Sequence, residues 1–213
     1  MFLLIHILVN FAAAFLSVLP FLILLEILAR KQIGDLPLKH TIADALLCFF
    51  IAAILAVTGV PGIYEFHADI NVNFVPFADI FTNTPQYIEN IILFLPVGFL
   101  LPLLFPAFQK LRRTTLYGFV FSLAIEILQL FSFRATDIDD VLMNTLGAVA
   151  GFGLFSLLRK LYPPIAGEIS LPDKCRKLHP SLRLEPALLT GAAWAAALLL
   201  IPAVKELIWE IFL

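Results

Sequence analysis

Residues 122–151, SLAIEILQLFSFRATDIDDVLMNTLGAVAG, decide the fold of this chain. Apolar residues flank a short polar turn, so the segment predicts two closely joined helices that run antiparallel. In both helices, polar or small residues recur at intervals of three and four, which places them on one face. The segment therefore predicts a helical hairpin whose two polar faces can meet within apolar surroundings.

The whole chain has the composition of an integral membrane protein. Of its 213 residues, 61% are hydrophobic and 14% are charged, and the mean hydropathy is +0.98. Soluble domains carry about 25% charged residues, so this composition excludes a water-soluble globule and a disordered chain. The net charge of −2 excludes a nucleic-acid-binding protein, which needs a basic surface.

We predict an all-α, polytopic membrane bundle of about six transmembrane helices, forming a single domain over residues 1–213. A crossing helix needs about 20 mostly apolar residues. The stretches that meet this need are about 2–28, 41–60, 88–106, 115–133, 138–158 and 187–209. Pro96, Pro102 and Pro202 are predicted to bend their helices.

The basic residues predict the orientation of these helices. Twelve of the 14 Lys and Arg residues lie in the first, third and fifth connections, and only Arg134 and Lys205 lie elsewhere. Because cytoplasmic loops carry the excess of basic residues, these connections are predicted to be cytoplasmic and both termini extracytoplasmic. The connection 61–88 and the turn at Arg134 would then face the outside.

Two polar stripes mark the hairpin as the place of a candidate site. The fourth helix carries Gly118, Ser122, Glu126 and Gln129 on one face, and the fifth carries Asp137, Asp140, Asn144, Gly147 and Gly151. An ionisable side chain at the bilayer centre costs about 2.5–3.5 kcal/mol on insertion scales, so it indicates a partner, a cavity or a function. The small residues of the fifth helix predict close helix contact.

The helical rise predicts how these residues are layered. Glu126, Asn144 and Asn90 are expected at one depth, with Gln129 and Asp140 shallower and Arg134 and Asp137 at the rim. Together they predict one extracytoplasmic polar pocket. The apolar segment 73–77 of the outer connection lies in the interface or folds back over this pocket.

Each pocket residue has a predicted role. Glu126, Asp137 and Asp140 are the candidate catalytic residues, and would be the ligands if a divalent cation is bound; no other cofactor is evident. The candidate substrate-binding residues are Arg134, Gln129, Asn144, Asn90, Ser122 and Asn73. In a structural alternative, Glu126 pairs with Arg134, and Asp137 and Asp140 cap the fifth helix. Three carboxylates and one arginine leave excess negative charge, which favours a proton, a cation or a cationic ligand.

Charged residues outside the pocket have structural explanations. Asp44 lies early in the second helix, near Lys39 and His40, so it is predicted to cap this helix or to pair with one of them. Glu26 lies near the cytoplasmic end of the first helix, four residues before Arg30, and is predicted to pair with it. Glu, His and Asp alternate over residues 65–69, which fits a metal site but is commoner in an exposed extended segment.

Four motifs between residues 73 and 151 carry a family resemblance. They are Asn73-Phe-Val-Pro76-Phe77, Asn90-Ile-Ile-Leu-Phe94-Leu-Pro96-Val-Gly98, Ser122-xxx-Glu126-xx-Gln129 and Arg134-xx-Asp137-xx-Asp140-xxx-Asn144-xx-Gly147-xxx-Gly151. Over about residues 41–160 the chain resembles the VanZ-like family of bacterial membrane proteins, which is linked to teicoplanin-type glycopeptide resistance. The additional helices at 2–28 and 187–209 lie outside the match. The resemblance implies a multi-pass protein of the bacterial plasma (inner) membrane.

Three functional hypotheses follow from the pocket and the resemblance. In the first, the protein lowers susceptibility to teicoplanin-type antibiotics by altering or shielding a wall or lipid component at the outer leaflet. In the second, it is a membrane enzyme acting on a lipid-linked or cell-surface glycan or phospholipid, with Glu126 as general acid or base. In the third, it is a proton-coupled transporter or flippase with Glu126 as the proton site.

The partners predicted at this stage are membrane lipid and either a lipid-linked cell-wall precursor or the glycopeptide itself at the outer leaflet. The oligomeric state is left open. The sequence contains neither a P-loop nor a GxSxG motif, so ATP-driven transport by this chain alone is excluded and serine-type acyl transfer is not favoured.

Overall fold

The computed structural model of the chain describes residues 2–60, 72–73, 75–77, 83–131, 136–172, 175 and 179–212. Helices account for most of these residues, which confirms the all-α class. The helices are α1 (Phe2–Ile33), α2 (Leu38–Thr58), α3 (Thr84–Leu104), α4 (Leu111–Gln129), α5 (Ile138–Leu161), α6 (Ile165–Ile169), α7 (Glu185–Leu199) and α8 (Ile201–Phe212). Two strands of two residues each, β1 (Val72–Asn73) and β2 (Thr136–Asp137), pair in parallel.

Four helices of the described chain are long and apolar enough to cross a membrane, or five spans if a bent helix pair counts as one. The four lie at Ile7–Ile33, Leu38–Thr58, Thr84–Leu104 and Ile138–Leu161. The bent pair is Glu185–Leu199 with Ile201–Ile211, at 52°. The bend falls where Pro202 was predicted to disrupt the helix, because proline has no N–H to donate to the preceding turn.

The fourth predicted span, at about 115–133, is not among these candidates. Helix α4 begins earlier, at Leu111, and ends at Gln129. Every 18-residue stretch of α4 therefore contains Arg112, Arg113 and Glu126, and three charges in one stretch are costly in a bilayer. The six-span count thus depends on α4, whose polar face must be covered by protein.

The helices form two compact units, one from residues 1–66 and 171–213 and one from residues 67–170. In the first unit, α1 and α2 pack on each other, α7 packs on both, and α8 packs on α1 and α7. In the second unit, α5 packs most extensively on α3 and also on α4. The single membrane domain inferred from the sequence stays a prediction.

Small residues bring the backbones of α3 and α5 into direct contact. A Cβ atom added to Gly151 would lie 2.7 Å from the backbone nitrogen of Phe99, and one added to Gly98 would lie 2.6 Å from the Cα of Ala148. At Gly147 the added atom would lie 3.0 Å from the Cα of Ile91. Glycine is needed at these positions because no side chain fits between the helices.

After α4 the chain folds back along the end of its own helix. The Thr136 Oγ1 hydroxyl donates to the Glu126 carbonyl oxygen at 3.1 Å, and β2 leads directly into α5. Helix α5 therefore begins beside Glu126, which lies about one turn before the end of α4. This arrangement determines which polar residues of the two helices meet.

Candidate functional site

The N-terminus of α5 is the centre of the candidate site. Asp137 is the N-cap residue, and its carboxylate accepts a hydrogen bond from the Asp139 backbone N–H at 2.9 Å. The same carboxylate accepts from the Asn73 amide at 3.2 Å. The structural alternative is thus confirmed for Asp137: its carboxylate occupies a favourable position at a helix N-terminus.

Glu126 is buried against the start of α5. Its side chain is 3% exposed, and its Oε2 accepts from the Asp137 backbone N–H at 3.1 Å. The expected layering is wrong on this point, because Glu126 lies level with Asp137 rather than with Asn144. The physical reason is the fold-back of residues 136–137, which carries the start of α5 past the end of α4.

Asp140 is held by two side chains of α3. Its Oδ1 accepts from the Asn90 amide at 2.6 Å and from the Gln86 amide at 3.1 Å. Asn90 therefore belongs to the site, but it contacts Asp140 instead of Glu126 and Asn144, with which it was predicted to share a layer. The carboxylate of Asp140 remains partly accessible to solvent, so it can reach a ligand from outside the protein.

Ser122 and Asn144 form the inner layer of the site. The Asn144 amide donates to the Ser122 hydroxyl at 2.9 Å, and both residues are almost fully buried. The Asn144 Oδ1 atom is buried and has no hydrogen-bond partner within the described part of the chain. An unsatisfied buried carbonyl oxygen is costly, so it marks a position where a donor group or a cation would be stabilised.

A fourth carboxylate, Asp139, belongs to the site and was not singled out from the sequence. It is 3% exposed, and accepts from the Phe77 backbone N–H at 2.8 and 3.0 Å and from the Tyr87 hydroxyl at 2.5 Å. Phe77 has a φ of 60°, which is uncommon for a residue with a side chain. Asp139 thus holds this turn of the outer connection against α5.

The described part of segment 73–77, which is Asn73 and residues 75–77, lies against the start of α5, as one of its two predicted placements requires. The Val75 backbone N–H donates to Asn73 Oδ1 at 3.1 Å, which forms a local turn. Val75, Pro76 and Phe77 are exposed. The segment therefore presents an apolar surface directly beside the carboxylates.

The structure describes some of the remaining predicted residues and not others. Gln129 is buried on α4, one turn beyond Glu126. Arg134 and the alternating residues 65–69 lie outside the described part of the chain, so the proposed pairing of Arg134 with Glu126 stays a prediction. Over residues 122–151 the sequence contains four acids and one base. The site therefore suits a cation or a ligand group rich in N–H and O–H donors.

Comparisons with known proteins agree with the sequence motifs. The family model described as VanZ/LLP1 matches residues 45–159, more than half of the chain. Protein VanZ of Enterococcus faecium is 35% identical over 99 residues, which are 46% of this chain and 60% of the relative. The matched part of the chain thus spans less than two thirds of that relative's length. No solved structure matches. Every residue of the candidate site lies within the family match.

Proposed function

Because the chain belongs to the VanZ/LLP1 family, we propose that it lowers the susceptibility of a bacterium to teicoplanin-type glycopeptide antibiotics. It would do so as a multi-pass protein of the plasma (inner) membrane. The four or five apolar spans support a membrane location. The resistance role is supported by the family, and the geometry of the site supports the way in which we propose it is carried out.

The proposed topology has six crossings, with α4 and the bent α7–α8 pair each crossing once and both termini outside. The distribution of basic residues supports it, since Lys and Arg favour the cytoplasmic side. In this topology the N-terminus of α5 lies near the outer surface. Because α5 packs on α4, the buried Glu126 side chain faces protein instead of lipid.

The observation that carries the proposal is the convergence of carboxylates at the N-terminus of α5. Asp137 and Asp140 are accessible and held by amide donors, and Glu126 is buried behind them. Fixed carboxylates beside the apolar segment 73–77 fit a surface component with a cationic or donor-rich head and an apolar part. Binding such a component would shield or alter what the antibiotic recognises.

An enzyme acting on such a component is the second candidate function. Buried Glu126 lies among other carboxylates, and this is a setting in which a carboxyl group can act as general acid or base. A transporter is less well supported. Inward from Ser122 and Asn144, a Cβ on Gly118 would lie 2.6 Å from the Ala148 Cβ, so small residues close the α4–α5 interface at this level, which counts against a path between these two helices.

Teicoplanin susceptibility of a sensitive host tests the proposal. Strains would express the wild type, Glu126→Gln, Asp140→Asn or the control Glu210→Gln at matched membrane levels. Glu210 is exposed on α8, so its replacement removes one charge away from the site. We expect protection from the wild type and the control, and loss of protection from both site variants.

Two results would contradict this proposal. Equal protection by all four proteins would make the site carboxylates structural, and no protection by the wild type would exclude the resistance role. If protection is seen, mass spectrometry of extracted envelope lipids separates binding from catalysis. An enzyme predicts a covalent product that is present with the wild type and absent with Glu126→Gln.

A further inference from the structure

A buried histidine in the first unit lies between two carboxylates. His40 is 0% exposed, and its Nε2 lies 2.9 Å from Glu185 Oε1 and 3.1 Å from Asp44 Oδ2. The two acid side chains are 12% and 17% exposed. The ligand-type atoms of all three residues lie within 4.8 Å of one another.

Two helix starts create this cluster. His40 is the third residue of α2 and Asp44 lies one turn later, so both project from the same face. Glu185 is the first residue of α7, which packs on α2.

We propose that His40, Asp44 and Glu185 bind a divalent transition-metal ion of the Zn²⁺ class. Imidazole and carboxylate ligands together suit Zn²⁺ and similar ions. In a tetrahedral site, metal–ligand bonds of about 2.0–2.2 Å place the donor atoms about 3.3–3.6 Å apart. The two separations from His40 Nε2, 2.9 and 3.1 Å, are slightly shorter, so the carboxylates need to move apart by less than about 1 Å for an ion to replace the existing hydrogen bonds.

A cavity beside the cluster offers space for the remaining ligands of the ion. It has a volume of about 280 Å³ and is lined by Asp44 and Glu185, by Glu26 and Thr41, and by leucines of α1 and α7. Three protein ligands with an open side are typical of exchangeable metal sites, in which water or a small ligand completes the coordination. All three ligand residues and the cavity's α1 and α7 walls lie outside the family match at 45–159, with Asp44 just before its start. The proposal is therefore independent of the glycopeptide function.

Titration of the purified full-length protein with ZnCl₂ tests the proposal. After treatment with a chelator, the protein in detergent would be titrated by calorimetry, with its unfolding temperature measured with and without Zn²⁺. We expect one Zn²⁺ per chain and a higher unfolding temperature in its presence. Loss of a residue that only orients a metal ligand costs about 10–100-fold in metal affinity. We expect at least this loss for Asp44→Asn and Glu185→Gln, because each removes a direct ligand.

Glu26→Gln is the matched control. Glu26 lines the same cavity, but it pairs with Arg30 at 2.6 Å and is not part of the cluster. Its replacement removes one negative charge from the cavity without removing a ligand, so Zn²⁺ should bind as in the wild type. Equal binding by the wild type, Asp44→Asn and Glu185→Gln would overturn the proposal, as would the absence of a one-to-one site.

X-ray absorption of the Zn²⁺-loaded wild type gives a test that does not depend on how the variants fold. We expect a shell of nitrogen and oxygen ligands with the multiple-scattering signature of one imidazole. A sulfur ligand, or a shell without imidazole, would overturn the assignment of the site to His40.

Discussion

Replacing Gly151 with Ala tests the close contact that positions α5. The added Cβ would lie 2.7 Å from the Phe99 backbone nitrogen, and it would overlap the Leu95 carbonyl oxygen more closely still. Ordinary contact begins at 3.4 Å, so α5 and α3 must separate by at least 0.7 Å. The atoms it meets are backbone, which cannot rotate away as a side chain can.

The matched control is Gly153→Ala on the same helix. A Cβ at Gly153 meets nothing within 4 Å. In both variants, the replacement of Gly by Ala stabilises the helix by about 0.8–1.0 kcal/mol through helix propensity. The difference between their free energies of unfolding therefore measures the overpacking alone. Overpacking costs about 1–3 kcal/mol, and the rigid backbone contact places Gly151→Ala near the upper end. We expect it to be less stable than Gly153→Ala by about 3 kcal/mol.

Reversible unfolding by SDS in mixed micelles measures this difference on the purified proteins. Gly151→Ala should unfold at a clearly lower SDS fraction than the wild type, and Gly153→Ala at the same fraction or a higher one. Coincident unfolding curves for the two variants would refute the direct backbone contact of α3 and α5.

Two further substitutions test hydrogen bonds of the candidate site in the same unfolding assay. Ser122→Ala leaves the buried Asn144 amide without the hydroxyl that it contacts, and should cost about 1–3 kcal/mol. The exposed Ser156→Ala is its control, and an equal effect of both changes would argue against the buried pair. Tyr87→Phe removes a hydrogen bond to the Asp139 carboxylate and should cost about 1.5–3 kcal/mol, whereas unchanged stability would mean that Tyr87 does not hold this carboxylate.

The polar stripes could be predicted from the sequence because helical spacing alone places their residues. Intervals of three and four predicted the shared face of Asp137, Asp140 and Asn144 and the small residues that contact α3. Asp44 was predicted to cap α2 or to pair with Lys39 or His40, and its pairing with His40 is confirmed at 3.1 Å.

Contacts between distant parts of the chain could not be predicted in this way. Asp139 lies off the stripe, and its partners Phe77 and Tyr87 are 62 and 52 residues away. Glu185 lies 145 residues from His40. The depth of Glu126 was misjudged because helical rise says nothing about a chain that folds back between two helices.

The proposed function requires that the α5 N-terminus be extracytoplasmic, and thiol labelling in intact cells tests this requirement most directly. Gln86 is exposed beside Asp140, and Lys160 is exposed near the other end of α5. Each would be replaced by Cys in a Cys175→Ser background, with buried Cys48 retained. A membrane-impermeant maleimide should label position 86 in intact cells, and position 160 only after permeabilisation. Labelling of position 160 but not of position 86 in intact cells would place the carboxylates on the cytoplasmic side and contradict the proposal.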